Sequence, residues 1–356
     1  MARSGSVDTG TTTHGGTTTH RGATRQEGTN QHEWIIRHEG VGAAGRIAAL
    51  LSRLVVKPVI WMWSKTPHLP WPYRALDLAA SVLPAVGGVV RSPVPLPDCR
   101  AEWMAPADVT TEPRAAILYL HGGAFLVGGI RSHRRLVSRI VKESGIASLA
   151  VDYRQLPDSP VSDSIADARA GLNYLLRIGI PAEKIALVGD SAGGYLALRL
   201  ALDAAQQGIN VGAVAAISPI IDLDPTTKID AAQGKDALFP ISALSTLWRE
   251  VQAAETNENE RESLGSVVSA SDDALAALAP LYLQVGAGEV LLPDSERLTA
   301  KIADLGGSVT LEIFPGQIHV FQAGADVIGE GRAALSSIAG HIATSLAVAT
   351  HTRRAA

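Results

Sequence analysis

The chain has 356 residues, of which 46% are hydrophobic and 19% are charged, so a large buried core is available. Length alone would allow two domains, but α/β folds of this size often form one. The formal net charge of −4 is too mild to indicate a nucleic acid or an anionic membrane as a partner.

The N-terminal residues 1–30 are rich in Thr, Gly and His. They contain no continuous apolar stretch, so we predict a disordered low-complexity tail and not a secretory signal. His14 and His20 could bind a metal, although a polar tail is the favoured interpretation. The single cysteine of the chain, Cys99, excludes an internal disulfide and fits a reducing, cytoplasmic compartment.

Residues 31–100 are predicted to form an N-terminal helical cap segment and a linker. Within them, the apolar stretch 47–63 is interrupted by Arg53, Lys57 and Pro58, too often for a helix that spans a membrane. We favour one or two amphipathic helices packed on the main domain, with interfacial membrane contact as the alternative. The proline-rich residues 92–98 cannot be helical and indicate a linker or an edge strand.

Residues 101–350 are predicted to form the main domain, because after Pro113 short apolar runs alternate with amphipathic segments. Strands that are apolar throughout are covered on both faces, and strand–helix alternation gives a doubly wound, mostly parallel sheet. The alternation stops at about 224–277, which we interpret as a cap insertion over the carboxyl ends of the strands. The predicted strands are 115–120, 147–151, 185–188, 211–217, 280–285 and 309–314, and the predicted helices are 131–143, 163–178, 192–205, 295–304 and 325–347.

Residues 185–194 combine an apolar strand, the pattern Gly-Asp-Ser-Ala-Gly and the start of a helix. A nucleophile elbow needs this sharp strand-to-helix turn, with small residues where the chains crowd. Gly189, Gly193 and Gly194 supply that room, and Ser191 lies at a helix N-terminus, where free amides favour developing negative charge. The pattern predicts Ser191 as a nucleophile; the alternative is a glycine-rich turn with an incidental serine.

A second motif, His-Gly-Gly-Ala-Phe at 121–125, follows the first strong strand. Tetrahedral intermediates of acyl transfer need amide donors aimed at the oxyanion, and small residues let the backbone come close to the substrate. In elbow-type hydrolases one donor is the residue after the nucleophile, here Ala192, and the other comes from such an earlier loop. We interpret His121 as structural, holding the loop by hydrogen bonds, and not as catalytic.

The general base should follow the last strand of the sheet. Among the ten histidines, His319 lies just after a late strand, and we predict it as the base. The acid should lie on the loop after the strand 280–285, where Glu289 and Asp294 are both candidates. Aspartate is the commoner triad acid, but Asp294 also fits the first turn of a helix, where a carboxylate is stabilising by itself.

Taken together, the motifs at 121–125 and 189–194 resemble those of the hormone-sensitive-lipase family of α/β-hydrolases. The resemblance covers about residues 90–345 and implies the α/β-hydrolase fold with a helical cap. It extends to Asp-Tyr-Arg-Gln-Leu-Pro at 152–157, Ser-Pro-Ile-Ile-Asp-Leu at 218–223 and Phe-Pro-Gly-Gln-Ile-His at 314–319.

The resemblance implies an oxyanion hole formed by the amides of Gly123, Ala124 and Ala192, with Gly122 giving the turn its room. Ala124 stands where the family usually has a third glycine. An alanine amide can still donate there, but its methyl group is expected to narrow the acyl site.

The resemblance also bears on the choice of the acid. In the family, the acid typically opens an Asp-Pro-Leu-type tetrad and precedes the histidine by about thirty residues. Glu289-Val-Leu-Leu falls on that tetrad, and Glu289 precedes His319 by 30 residues, whereas Asp294 does so by 25. The resemblance thus favours Glu289, and glutamate is an accepted variant of the triad acid.

We therefore expect a serine esterase that hydrolyses short- to medium-chain acyl esters, with no metal or organic cofactor. The alternatives are amide or N-acetyl hydrolysis by the same triad, and a non-catalytic receptor for small ligands on the same fold. A homodimer is compatible with the sequence, and neither a nucleic-acid partner nor an integral membrane span is expected. Five tryptophans could line an apolar pocket in the cap, although simple packing is their commoner role: Trp34, Trp61, Trp63, Trp71 and Trp248.

Overall fold

A computed structural model describes residues 34–82, 84–108, 113–231 and 236–352 of the chain. Within these residues the strands are β1 (Ile35–Arg37), β2 (Val89–Pro95), β3 (Arg100–Pro106), β4 (Ala116–Leu120), β5 (Ala147–Asp152), β6 (Ile185–Asp190), β7 (Ala213–Ile217), β8 (Leu281–Gly286) and β9 (Val309–Phe314). They form one sheet in the order β1-β9-β8-β7-β6-β4-β5-β3-β2. β3 pairs antiparallel with β2 and with β5, and the other neighbours are parallel.

The helices of the described residues fall into two groups, those of the N-terminal segment and those of the main domain with its predicted insertion. The N-terminal segment holds α1 (Ala43–Leu51), α2 (Lys57–Lys65) and α3 (Ala75–Ala79). The main domain and the insertion hold α4 (Ile130–Ser144), α5 (Val161–Arg177), α6 (Ala192–Gln206), α7 (Thr226–Ala231), α8 (Ile241–Ala254), α9 (Glu258–Ser263), α10 (Asp272–Ala276), α11 (Leu292–Asp304) and α12 (Gly329–Thr352).

The central strands are buried on both faces, as β4 illustrates. Successive side chains of a strand point to opposite faces. Leu118 and Leu120 join one apolar cluster, which includes side chains of α5 and α6. Ile117 and Tyr119 join a second cluster, which includes side chains of α4 and α12. The predicted doubly wound, mostly parallel sheet is confirmed, and this arrangement explains why its strands are apolar throughout.

The edges of the sheet differ from the prediction. β1 lies parallel to β9 in a segment predicted to be helical, and β3 is absent from the predicted strands. β3 reads Arg-Ala-Glu-Trp-Met-Ala-Pro, so it lacks the uniform apolar run by which the other strands are recognised. The proline-rich stretch forms the edge strand β2, one of the two alternatives, where proline is tolerated because one side of the strand has no ladder partner.

The N-terminal segment and the insertion predicted at 224–277 contact each other through α2 and α8. The Oγ atoms of Ser64 and Ser242 are 2.8 Å apart, and the hydroxyl of Thr246 donates to the backbone oxygen of Ser64 at 3.0 Å. The Nζ of Lys57 donates to the backbone oxygen of Asp236 at 2.6 Å. These hydrogen bonds join the N-terminal segment to the predicted insertion, although the two are far apart in sequence.

The helix Ala43–Lys65 is continuous, running through α1, a π-helical turn at Ser52–Val56 and α2. Arg53, Lys57 and Pro58 do not break it, contrary to the expected interruption. By length and composition this helix could cross a membrane, although one such helix alone is weak evidence of a span. Of its most apolar 18-residue stretch, 17% is buried.

The tail at 1–30, with His14 and His20, lies outside the described residues. The cytoplasmic location and the homodimer stay predictions. Cys99 is half-buried, and burial raises the pKa of its thiol to about 12. The thiol is therefore uncharged at neutral pH, and an uncharged thiol is a poor nucleophile.

Candidate active site

Ser191 occupies a sharp turn between β6 and α6. Its backbone has φ 52° and ψ −117°, a conformation that non-glycine residues rarely adopt. The turn is crowded: a Cβ at Gly189 would lie 2.2 Å from the backbone oxygen of Gly193, and one at Gly193 would lie 2.0 Å from that of Leu120. The glycines are therefore required by the close approach of three backbone segments, as a nucleophile elbow demands.

Ala192 begins α6 directly after Ser191. The first amides of a helix have no intrahelical acceptor, and the helix dipole places partial positive charge there. The amide of Ser191 itself donates to Ile217 at 2.8 Å, which fixes the turn against the neighbouring strand β7. A free amide at Ala192 is thus held in place beside the serine.

His319 follows β9 and contacts Glu289, which follows β8. The Nδ1 of His319 and the Oε2 of Glu289 are 2.7 Å apart, and both side chains are buried. The other carboxylate oxygen of Glu289 accepts from the Ser218 hydroxyl at 2.7 Å and from the Gly286 amide at 2.6 Å. The carboxylate is therefore fixed by three hydrogen bonds, one of which orients the imidazole.

Ser218 is a residue whose role the sequence did not reveal. It follows β7 with a left-handed φ of 44°, and its hydroxyl also accepts from the amide of Val320 at 3.3 Å. It thus connects the acid to the residue after His319. Its place within the segment 218–223, which resembles the family, was the available signal, but that signal carries no information about its partner.

Asp294 lies apart from His319 in the first turn of α11 and is buried. Its carboxylate forms ion pairs with Lys228 at 2.9 Å and with Arg297 at 3.2 Å. The Lys228 side chain is itself buried and also donates to the backbone oxygen of Asp224 at 3.1 Å. Asp294 therefore neutralises a buried cation, and the structure brings Glu289, not Asp294, to the histidine.

The pKa of His319 is shifted upward by its surroundings. Burial alone lowers this pKa, but the carboxylate of Glu289 and the hydrogen bond to it raise it by more, with further contributions from Asp236 and Asp190. The net result is a pKa above the usual 6.5.

This shift predicts the acidic limb of the pH profile. His319 is the predicted general base and must be neutral to accept a proton, so we expect kcat/KM to fall as the pH drops through a value above 6.5. The profile can be measured with an uncharged ester. Glu289→Gln removes the attraction and should move the limb of the residual activity to lower pH. A wild-type limb below 6.5, or a limb that this change leaves in place, would contradict the assignment.

The loop at 121–125 is attached to the residue before the serine. Asp190 is buried, and its Oδ1 accepts from the amide of Gly122 at 2.9 Å and from the hydroxyl of Tyr119 at 2.7 Å. The amide of Gly122 is thereby occupied, and a Cβ at Gly122 would lie 2.1 Å from the other oxygen of Asp190. Gly122 thus occupies a position where a side chain would clash with Asp190, and its amide is no free donor.

The next residues of the loop have unusual backbones. Gly123 has φ 122°, and a Cβ there would lie 1.8 Å from the backbone oxygen of Val127, so only glycine fits. Ala124 and Phe125 have φ values of 56° and 58°. Ala124 has a left-handed backbone conformation, which favours glycine. An alanine in this conformation loses about 1 kcal/mol of stability.

His121 is held within the loop and stays neutral. Its Nδ1 is 2.8 Å from the backbone oxygen of Gly122, and its ring stacks on Tyr153 at 4.2 Å. Burial, together with the charge of nearby His133, lowers the pKa of His121 to about 4. These contacts support the structural interpretation of His121.

The predicted insertion contacts His319 through Phe239, whose ring meets the imidazole edge-on with 4.8 Å between the ring centroids. The tryptophans expected to line a pocket are dispersed: Trp34, Trp63 and Trp248 pack against the main apolar cluster, Trp61 is exposed, and Trp71 lines a cavity. Packing thus accounts for these three. Sequence reasoning missed Phe239, since nothing in its surroundings marked it.

The fold and the strained serine after β6 define the class: an α/β-hydrolase with a serine at the nucleophile elbow. The model of a protein family described by its alpha/beta hydrolase fold matches residues 117–323 of the chain. The esterase LipU of Mycobacterium tuberculosis (strain ATCC 25618 / H37Rv) is 36% identical over 295 residues, which cover 81% of this chain and 98% of that protein. The carboxylesterase/phospholipase LipF of the same strain is 34% identical over 302 residues, with coverages of 84% and 81%.

A solved structure agrees with these relatives. The crystal structure of an esterase from the bacterial hormone-sensitive lipase family aligns with a TM-score of 0.69 at 27% identity, covering 81% of this chain and 97% of that one. The chain therefore belongs to the hormone-sensitive-lipase family of α/β-hydrolases, and it is a serine esterase. The resemblance read from the sequence and the expected class of enzyme are confirmed, which favours an enzyme over a non-catalytic receptor.

Proposed function

We propose that this esterase acts through a triad of Ser191, His319 and Glu289. The observation that carries the proposal is the 2.7 Å contact of His319 Nδ1 with Glu289. With its proton on Nδ1, the imidazole leaves Nε2 free to accept a proton from the serine. Loss of activity in Ser191→Ala and Glu289→Gln, with activity retained in Asp294→Asn, tests the proposal.

The reaction proceeds by acyl transfer. Ser191 Oγ attacks the ester carbonyl while its proton passes to His319. The imidazolium, stabilised by Glu289, then protonates the leaving alcohol, and an acyl-enzyme remains. Water, deprotonated by the same histidine, attacks the acyl-enzyme, and the carboxylic acid is released as His319 returns that proton to the leaving Oγ of Ser191. Every proton is thus handled by one side chain, which the buried carboxylate keeps in orientation.

The tetrahedral oxyanion is stabilised by backbone amides, those of Gly123, Ala124 and Ala192. Support comes from the fixed loop conformation and from the start of α6 beside the serine. Losing one such donor typically costs about 2.7–4 kcal/mol of transition-state stabilisation. Because Asp190 and Gly122 join the loop to the elbow, the donors keep their spacing to the nucleophile.

The substrates are short- to medium-chain acyl esters. Two observations support this substrate class: the methyl group of Ala124 at a position where a glycine would leave more space, and the names of LipU, an esterase, and LipF, a carboxylesterase/phospholipase. The printed name of LipF also includes phospholipase, and esters within phospholipids undergo the same carbonyl chemistry.

Acyl-chain preference can be measured with p-nitrophenyl esters from acetate to laurate. The wild type should show its highest kcat/KM on the short to medium chains. Ala124→Gly removes one methyl group while keeping the amide, so kcat/KM on the longer chains should rise about tenfold relative to acetate, the usual value of one methylene in an apolar pocket. An unchanged profile in the variant, or a wild type that prefers laurate, would contradict the proposed role of Ala124.

A further inference from the structure

The helix Ala43–Lys65 presents its large apolar side chains to solvent. They recur at intervals of three and four residues along α1, the π-helical turn and α2, and each is between 41% and 66% exposed. We call them the exposed stripe: Ile47, Leu50, Leu51, Leu54, Val55, Val56, Val59, Trp61 and Met62. A surface helix of a globular protein normally turns such a stripe toward the core. Here the orientation is reversed.

The opposite side of the helix is fixed to the enzyme by small and polar residues. Gly45, Ser52 and Ser64 are its buried residues. Ser64 bonds to the insertion through both its hydroxyl and its backbone oxygen, and Lys57 does so through its ammonium group. A helix held along its length in this way lies on the protein surface, so its exposed side is available for contact.

The charge of this part of the chain has one sign. Residues 40–76 contain five Lys and Arg residues and not a single Asp or Glu. They are Arg46, Arg53, Lys57, Lys65 and Arg74, of which Arg74 forms an ion pair with Asp158 and Lys57 donates to the backbone oxygen of Asp236. The whole chain, by contrast, has a net charge of −4, which conceals this local excess. An apolar helix face with basic flanks and aromatic residues is the pattern of a helix that lies in a lipid interface.

We propose that the exposed stripe is a docking surface for an anionic lipid layer. The stripe would enter the boundary between headgroups and acyl chains, and the exposed basic residues Arg46 and Lys65 would contact the anionic headgroups. α2 is bonded to α8, and Phe239, two residues before α8, contacts His319. Docking therefore brings the cap, and the catalytic histidine behind it, toward the lipid.

Two other candidates could cover the exposed stripe: the residues before Trp34 and a second copy of the chain. Both match its apolar and basic side chains less well than an anionic lipid does. The residues before Trp34 contain only two large apolar residues, Met1 and Val7, too few to cover the stripe. A second copy of the chain would bring two segments of the same positive charge together. An anionic lipid satisfies both the apolar and the basic parts of the surface.

The test is co-sedimentation of the full chain with vesicles of phosphatidylcholine alone and of equal parts phosphatidylcholine and phosphatidylglycerol. The wild type should bind the anionic vesicles, more weakly as salt is raised. Leu54→Glu/Val55→Glu should weaken binding at least about tenfold, because it removes apolar contact and adds repulsion. Arg46→Gln/Lys65→Gln should weaken it about fivefold for each charge removed.

The controls separate docking from catalysis and from misfolding. Val327→Glu changes another exposed valine outside the stripe and should bind vesicles like the wild type. Ser191→Ala should also bind normally, so failure of the catalytic proposal would leave docking intact. Leu54→Glu/Val55→Glu should hydrolyse a water-soluble ester at the wild-type rate, since both side chains are exposed.

Three results would overturn the proposal. One is a wild type that does not bind anionic vesicles at low salt. The second is equal binding by the wild type and Leu54→Glu/Val55→Glu. The third is a wild-type dimer in analytical ultracentrifugation that Leu54→Glu/Val55→Glu dissociates, which would assign the stripe to a second copy.

Discussion

Replacing Ser191 by alanine should lower kcat for ester hydrolysis by a factor on the order of 10⁴ to 10⁶. The reason is that Ser191→Ala removes the oxygen that forms the acyl-enzyme, while the amides and the base can only assist a direct attack by water. The measurement is the rate on p-nitrophenyl butyrate with purified wild type and variant.

The variant should remain folded. Alanine and serine meet the same restriction at φ 52°, so the strain of the turn is unchanged, and the melting temperature should stay within a few degrees of the wild type. Full esterase activity in folded Ser191→Ala would exclude the proposed mechanism.

Glu289→Gln should lower kcat by a factor on the order of 10⁴. A glutamine could keep its oxygen toward Ser218 and Gly286 and place its NH₂ group toward His319. The Nδ1 of the histidine would then accept a hydrogen bond, so its proton would move to Nε2. That tautomer cannot take the proton of Ser191.

Asp294→Asn should have the opposite pattern of effects. It leaves the buried ammonium of Lys228 without its anion, which typically costs about 3–5 kcal/mol of stability. The melting temperature should fall, while kcat of the folded fraction stays near the wild-type value. If the single variant does not fold, Lys228→Met/Asp294→Leu replaces the pair by apolar side chains and should restore folding and activity.

The two carboxylates can thus be told apart by which quantity changes. A large loss of kcat in folded Asp294→Asn or Lys228→Met/Asp294→Leu, with nearly full kcat in Glu289→Gln, would assign the triad acid to Asp294. Thermal unfolding and kcat measured on the same preparations give the answer.

The central part of the fold could be predicted because its sequence signals are local. A strand covered on both faces is apolar throughout, and the elbow at Ser191 needs glycines at fixed offsets. The strands β1 and β3 could not be found in this way. β3 mixes charged and apolar residues, and β1 has three residues and is defined by its pairing with β9.

The candidate active site also combines residues that sequence signals could place with contacts that they could not. His319 and Glu289 could be placed from strand order and from the family spacing, since both follow the carboxyl ends of strands. The hydroxyl of Ser218 on Glu289, the Lys228–Asp294 pair and the ring of Phe239 on His319 join residues far apart in sequence. The outward orientation of the exposed stripe is equally invisible, because an amphipathic pattern does not say which face meets the core.

The most direct test of the account is labelling of the wild type with a fluorophosphonate, followed by mass spectrometry of the labelled peptide. The reagent reacts with an activated serine oxygen, which displaces fluoride and forms a bond to phosphorus. We predict one label, on Ser191, that Glu289→Gln acquires far more slowly and Ser191→Ala does not acquire. A label on another serine, or no label on the folded protein, would contradict the assignment of Ser191 as the nucleophile.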